Sequence, residues 1–416
     1  MIKILTFLIV FIVTNLERII TYISNLFLCF LIFSLFSCNA QIDSKTLDKN
    51  LVEIQAQSNI PGFALTIIKG DTIEFEKGFG FANKETKTPF SSETIMPIAS
   101  VSKTFIGFSV MRAIDLGYFT LDTDINSVLP FQIINPHQPK EIITIRYLAT
   151  HTSGLIDNTK FRIAAYGLDK IPKISLADYL KNYFTKDGNM YEKANFSKFK
   201  VGTNYEYSNI ASALTAYIIE VKSKMSFADF TKKHIFEPLQ MNNSHWFYDD
   251  AFANKYATLY QVDKPDYPSE GLLNKDGSLK TYSCATYPDG SLKTSAADLS
   301  KYLIAMLKGY EGKSDLLSKA SFETLFKKQF SAESIPKNID PKEPNRAIFW
   351  AYNKKDKLIH TGADPGVATF VSIDPKTKII KILLINTALD GQNNQVTVEN
   401  FKKVIGEIEK FEIGLK

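Results

Sequence analysis

Ser100 and Lys103 stand three residues apart at the head of an apolar, helix-forming run that carries Phe105, Phe108, Val110, Met111 and Ile114. Residues at that spacing share a helix face, so the lysine amine can lie beside the serine hydroxyl. A serine hydroxyl is a poor nucleophile until a base takes its proton. Lysine serves as that base only where burial or a nearby cation lowers its affinity for the proton. The backbone N–H groups that open a helix also point at any oxyanion that develops there. Ser-x-x-Lys recurs at Ser197 with Lys200 and at Ser334 with Lys337. The surroundings there are polar or contain Pro336, so the run after Ser100 singles it out. Tyr207-Ser208-Asn209 follows the approach Val201-Gly202-Thr203-Asn204 and precedes a second apolar helical run. Tyr207 could pass a proton between Ser100 and a leaving group, and Asn209 could hold a substrate amide and Lys103. His360-Thr361-Gly362 ends one strand and leads through Ala363-Asp364-Pro365-Gly366 to the next. Gly362 would let a substrate backbone approach closely. The Ala363 N–H could complete an oxyanion hole with that of Ser100.

The elements that must position these groups follow from periodicity. Residues 44–57 form an amphipathic helix through Leu47, Leu51 and Ile54, stopped by Pro61 and Gly62. Residues 63–69 and 72–79 form a hairpin about Gly70-Asp71. The Ser100 helix ends at Leu116-Gly117. Residues 120–310 read as helical patches and loops, with helices at 175–184, 209–222, 226–236 (Ser226 as N-cap) and 296–307. Strands return at 347–352, 357–360, 367–373 and 379–385, and the turn Asp374-Pro375-Lys376 joins the last two. A final amphipathic helix covers 396–410 through Val398, Phe401, Ile405 and Ile408. First and last elements can then pack on one face of a single antiparallel sheet. The helical insertion sits beside it, and the cleft between them is the expected site.

In this order the three groups resemble the serine penicillin-recognising enzymes, that is, penicillin-binding proteins and serine β-lactamases. The closest likeness is to the class C β-lactamase and D-alanyl-D-alanine carboxypeptidase branch, peptidase family S12. The strings Leu148-Ala149-Thr150-His151-Thr152-Ser153-Gly154-Leu155 and Pro288-Asp289-Gly290-Ser291-Leu292 are similar to that family as well. The resemblance spans residues 45–410. It implies an α+β fold: a β-lactamase-like antiparallel sheet flanked by N- and C-terminal helices, with an inserted, mainly helical subdomain. The sheet part would be about 44–99 and 345–416, and the helical part about 120–310. It further implies Ser100 as the acylated nucleophile, with Lys103 and Tyr207 sharing general-base and general-acid work. Asn209, His360, Thr361 and Gly362 would bind substrate, His360 and Thr361 taking its carboxylate or polar end. Many members carry Lys-Thr-Gly where this chain has His360-Thr361-Gly362. Lysine supplies a fixed charge, whereas histidine is charged only near or below pH about 6.5. That departure argues against a dedicated, efficient β-lactamase. The expected activity is hydrolysis of amide or ester bonds in D-amino-acid peptides, cell-wall fragments or small esters. A sensor that is acylated without turnover, or a weak β-lactamase, are the alternatives. His151 is read as structural.

Composition narrows the rest. The 416 residues carry 49 Lys+Arg against 44 Asp+Glu, are 45% hydrophobic and 22% charged, and contain 20 Gly and 16 Pro. That balance excludes disorder, collagen-like repeats and a polytopic membrane protein. A formal charge of +5 with no basic block gives no nucleic-acid patch. The cysteines, Cys29, Cys38 and Cys284, make no disulfide framework or zinc spacing, and the scattered histidines form no zinc motif. No metal and no cofactor are expected, and the partner is a small-molecule or peptide substrate. Apolar runs at 4–13 and 26–36 are each short of the roughly 20 residues that span a bilayer. The second ends Leu35-Phe36-Ser37-Cys38-Asn39-Ala40, which resembles a bacterial lipoprotein signal with Cys38 as the lipidated residue, or a signal cleaved after Ala40. Residues 1–40 are thus expected to direct export to the periplasm or a membrane anchor, and residues 41–416 to form the hydrolase domain, as a monomer.

Overall fold

Helix α1 (Ser44–Ala56) begins where Asp43 accepts a hydrogen bond from Thr46 N at 2.8 Å, and it buries Leu47 and Leu51. A side-chain acceptor at that position satisfies one of the helix's orphan N–H groups. The computed structural model describes residues 41–261, 271–389 and 395–416. The expected export segment and Cys38 lie outside the described residues.

Strand β1 (Gly62–Lys69) pairs with β2 (Thr72–Asn83), and β2 with the short β3 (Thr88–Pro89). After the helical part come β4 (Asn345–Arg346), β5 (Ala351–Tyr352), β6 (Leu358–Asp364), β7 (Val367–Asp374) and β8 (Ile379–Ile385). All join one antiparallel sheet in the order β3-β2-β1-β8-β7-β6-β5-β4. The first and last long strands are therefore neighbours at its centre, with Phe63 opposite Ile385 and Lys69 opposite Ile379. Every residue of β1 but Lys69 is buried, because both sheet faces are covered. Phe63, Leu65 and Ile67 pack with α1 and the C-terminal helix; Ala64 and Ile68 join the core of the helical part.

The helical part contains α2 (Lys103–Asp115), α3 (Leu176–Phe184), α4 (Asn209–Ser223), α5 (Ala296–Tyr310) and α6 (Lys319–Phe326); the closing helix is α7 (Gln395–Leu415). Ser175 and Ser226 cap the helices that follow them, accepting from Asp178 N and Asp229 N. Among the described residues no helix is long and apolar enough to cross a membrane, and no cluster of metal-ligating side chains occurs.

Several boundaries differ from expectation because of packing. The α-helix starts at Lys103; Ala99–Ser102 is a 3-10 turn entered through Ala99 at φ +46. The apolar residues 347–350 form a turn rather than a strand. Ile348 N donates to Leu325 O and Phe349 N to Ala149 O, so their backbone satisfies the helical layer instead of a ladder. Strand β6 does not stop at His360 but runs to Asp364, pairing Gly362 with Thr369 and Ala363 with Ala368. Helix α7 passes 410 to Leu415 because its last turn carries Phe411 into the core. That turn also sets Glu412 between Lys357 of the β5–β6 turn at 2.5 Å and Lys381 of β8 at 2.6 Å. Residues 226–236 also divide, into an α-turn (Phe227–Thr231) and a π-turn (Lys232–Phe236).

Candidate active site

Ser100 sits on the 3-10 turn, where residues three apart eclipse one another. Lys103 Nζ consequently donates to Ser100 Oγ at 3.1 Å. It also donates to Asn209 Oδ1 at 2.7 Å and to the Asp289 carbonyl at 2.6 Å. Lys103 is completely buried, and an ammonium has three protons to give. All three have acceptors, which is the condition for holding a buried cation without a prohibitive desolvation cost.

The turn is pressed against the sheet. Thr369 Oγ1 of β7 donates to Ile98 O at 2.8 Å. A Cβ on Gly362 would lie 2.5 Å from Ile98 O and 3.0 Å from the Ala99 methyl. The expectation that Gly362 makes room for substrate is thus corrected: its missing side chain makes room for the serine's own turn. Ala99, at φ +46, is an L-residue in a costly conformation held by this packing.

Asn209 is the first residue of α4, whose N-cap Ser208 accepts from Ala211 N at 3.1 Å. Tyr207, just before, lies with its ring centroid 5.1 Å from Lys103 Nζ and is 42% exposed. The His151 ring lies 4.5 Å away, tilted by 33°. His151 Nδ1 accepts from Ser208 N at 3.2 Å, so this nitrogen is unprotonated. Burial, then the charges of Arg346 and Lys103, hold the His151 pKa well below the usual imidazole value. Its structural reading is therefore joined by a direct contact with the candidate proton carrier. A hollow lined by His137, Ile156, Phe199 and Glu206 adjoins this segment but includes neither Ser100 nor Lys103.

Strand β6 forms the opposite wall. Only its Leu358 and Ile359 pair with β5, so among the described residues no strand covers its outer edge from His360 onward. Asn353 N donates to Lys357 O, which makes these a hydrogen-bonded pair and Ala351 with Ile359 the next. By the alternation of an antiparallel ladder, Thr361 and Ala363 turn their N–H and C=O groups to the open edge. His360 and Gly362 turn theirs to β7. Side chains alternate as well, so His360 shares the Gly362 face, toward the Ser100 turn, while the Thr361 side chain lies on the other face. The expected pairing of those two side chains on one substrate group is not what the strand provides; Thr361 offers its backbone.

His360 Nδ1 lies 2.8 Å from Thr361 O. A carbonyl only accepts, so Nδ1 carries the proton and Nε2 keeps its lone pair. Burial, with Lys103 opposing further charge, pushes the His360 pKa down to about 3. The imidazole is neutral at physiological pH and supplies no cation for a carboxylate. Arg346 is nearby but buried, ion-paired to Glu343 at 2.5 Å with its guanidinium over the Tyr205 ring.

Three further site residues were given no role from the sequence, although Asp289 and Asp364 lie within the quoted Pro288–Leu292 and His360–Gly366 strings. Asp157 accepts from the backbone and side chain of Asn209. The Asp289 carboxyl is pushed up to about 7 by burial, against the pull of Lys103. Asp364, on the His360 face of β6, accepts from Tyr166 and Tyr282 hydroxyls at 2.7 and 3.2 Å. Asp157 lies just after the Leu148–Leu155 string, which was its one visible signal.

Residues 47–399 match the beta-lactamase family, and the chain belongs to it. Among curated relatives, the Staphylococcus aureus (strain MW2) protein flp is 23% identical over 350 residues, 83% of this chain and 63% of flp. The chain thus spans less than two-thirds of that relative's length. A penicillin-binding protein from Bacillus halodurans superposes with TM-score 0.64 at 22% identity, over 86% of this chain and 98% of that one. EstCE1, a hydrolase with promiscuous acyltransferase activity, gives 0.66 at 18%, over 87% and 99%. These neighbours share the sheet with its flanking helices.

Proposed function

We propose that the protein is a serine hydrolase that forms an acyl-enzyme on Ser100 and then hydrolyses it. The observation that carries this is the fully buried Lys103 amine, 3.1 Å from Ser100 Oγ, with two further acceptors fixed on other elements. When that amine is neutral, its two N–H groups remain on Asn209 Oδ1 and Asp289 O. Its lone pair is then left facing the serine proton. Ser100 Oγ attacks the substrate carbonyl carbon as its proton passes to Lys103 Nζ. The carbonyl electron pair moves onto oxygen, where the N–H groups of Ala363, on the open edge of β6, and Ser100 receive it. Collapse expels the amine or alcohol, protonated through Tyr207. Water then attacks the Ser100 ester, releasing the acid and restoring the hydroxyl.

A substrate lies along the open edge of β6, with Asn209 across the cleft. The neutral His360 favours an uncharged polar end over a carboxylate there. Small esters and end-blocked D-aminoacyl amides fit this better than β-lactams or cell-wall peptides with a free C-terminus, which carry that carboxylate. A fluorophosphonate probe is expected to label the wild type and not Ser100→Ala. Equal labelling of both proteins overturns the reading. Steady-state release of product from a short-chain ester separates turnover from single acylation.

A further inference from the structure

The carboxylate of Asp157 accepts four hydrogen bonds at the head of α4. Its Oδ2 takes Asn209 N at 3.0 Å and Asn209 Nδ2 at 2.7 Å; its Oδ1 takes Ile210 N at 2.9 Å and Ser208 Oγ at 3.4 Å. A carboxylate can only accept, so Asn209 must present its NH2 group to Asp157. Its Oδ1 is then the end left for Lys103 Nζ, at 2.7 Å. The two ends of a primary amide are nearly the same size. Were this one to flip, NH2 protons would meet the protons of the lysine, and the lysine would lose an acceptor.

We propose that Asp157 is a positioning residue of the acylation machinery, fixing the flip state of Asn209 and, through that amide, the aim and charge balance of Lys103. This rests on Lys103 being the base for Ser100. The other titratable groups facing Lys103 are Asp289, Asp364, His151, His360 and Tyr207, together with the more distant Arg346. None of them touches the Asn209 amide in the way Asp157 does. Asp289, whose carboxyl the Asp157 charge helps to push up, also feels a substitution at 157; that route does not pass through the amide, so it persists when Asn209 is replaced by alanine. Replacing Asp157 by asparagine removes a negative charge that stands one amide away from the Lys103 amine.

The test is the pH dependence of Ser100 labelling by a fluorophosphonate, normalised to folded protein. Asp157→Asn should lower the plateau rate by about 10- to 100-fold, the cost of a misaimed catalytic group. It should also move the acid limb to lower pH by about half a unit or more, the scale of one charge acting across a single amide. Ser208→Ala is the control, since it weakens the same helix cap without touching the Asn209 amide; it should lower the melting temperature and leave the limb in place. In an Asn209→Ala background, Asp157→Asn should move the limb no further. An unmoved limb in Asp157→Asn, or an equal shift in Ser208→Ala, overturns the proposal and leaves Asp157 a helix cap. Should Asp157→Asn not fold, Asp157→Ser, which leaves a hydroxyl and room for water, is judged by the same limb. Failure of the serine mechanism shows separately, as labelling that survives Ser100→Ala.

Discussion

Replacing Gly362 by alanine adds one methyl group and no charge, yet it should nearly silence Ser100. The new Cβ would stand 2.3 Å from Thr369 Oγ1, 2.5 Å from Ile98 O and 3.0 Å from Ala99 Cβ. A Cβ reaches ordinary van der Waals contact only at about 3.4 Å. Thr369 can rotate away only by giving up its hydrogen bond to Ile98 O. The Ile98 carbonyl is backbone and can move only with the turn that carries Ser100. Relief therefore requires about 0.9 Å of separation between β6 and that turn, close to the 1 Å scale at which misplacement costs about a hundredfold in rate. This corresponds to about 2.7 kcal/mol of lost transition-state stabilisation. Overpacking should also lower stability by about 1–3 kcal/mol. Second-order labelling of Ser100 by a fluorophosphonate, alongside thermal unfolding, measures both. A Gly362→Ala protein that labels at the wild-type rate would refute the claim that this close approach sets the position of the nucleophile.

Three further outcomes follow from the same geometry. His360→Lys places a fixed cation where the imidazole is neutral. The ratio of kcat/KM for a free-carboxylate substrate over its methyl ester should rise about tenfold, one charge-assisted contact; an unchanged ratio removes His360 from substrate contact. Burial also makes the folded chain bind a proton at His360 less readily than the unfolded chain does, from an ordinary 6.5 down to about 3. The resulting stability is present above pH 6.5 and is lost as pH falls toward 3, so His360→Gln should flatten that slope by up to about 1.4 kcal/mol per pH unit. At Glu412, Lys381 and Lys357 overcome burial and hold the carboxyl down at about 2. Its contribution is present above pH 4.5 and is lost as pH falls through 2, so the stability gap between wild type and Glu412→Gln should narrow over that interval in denaturant titrations. A pH-independent gap would deny Glu412 its role in fastening α7 to the sheet.

Local pattern sufficed where the relevant physics is local. Strand β8 at residues 379–385, the Gly70-Asp71 hairpin, the cap at Ser226, and the Ser100–Lys103 spacing all follow from side-chain periodicity and backbone hydrogen-bonding needs within a few residues. The ordered groups around Ser100, Tyr207 and His360 were visible through their order along the chain and their resemblance to a known family, since each alone reads as an ordinary cap, turn or histidine. Contacts between distant segments decided the rest. Ala99 takes a positive φ because the turn is wedged under β6 and β7. Gly362 clears space for Ile98 rather than for substrate, a pairing of residues 264 positions apart. His360 loses its charge through burial beside Lys103, and the Asn209 amide faces Lys103 by its oxygen because Asp157 claims its nitrogen. Sequence by itself specified which chemical groups are present and which local elements carry them. Their charge states and aim depend on desolvation and on partners brought together only when the chain has folded.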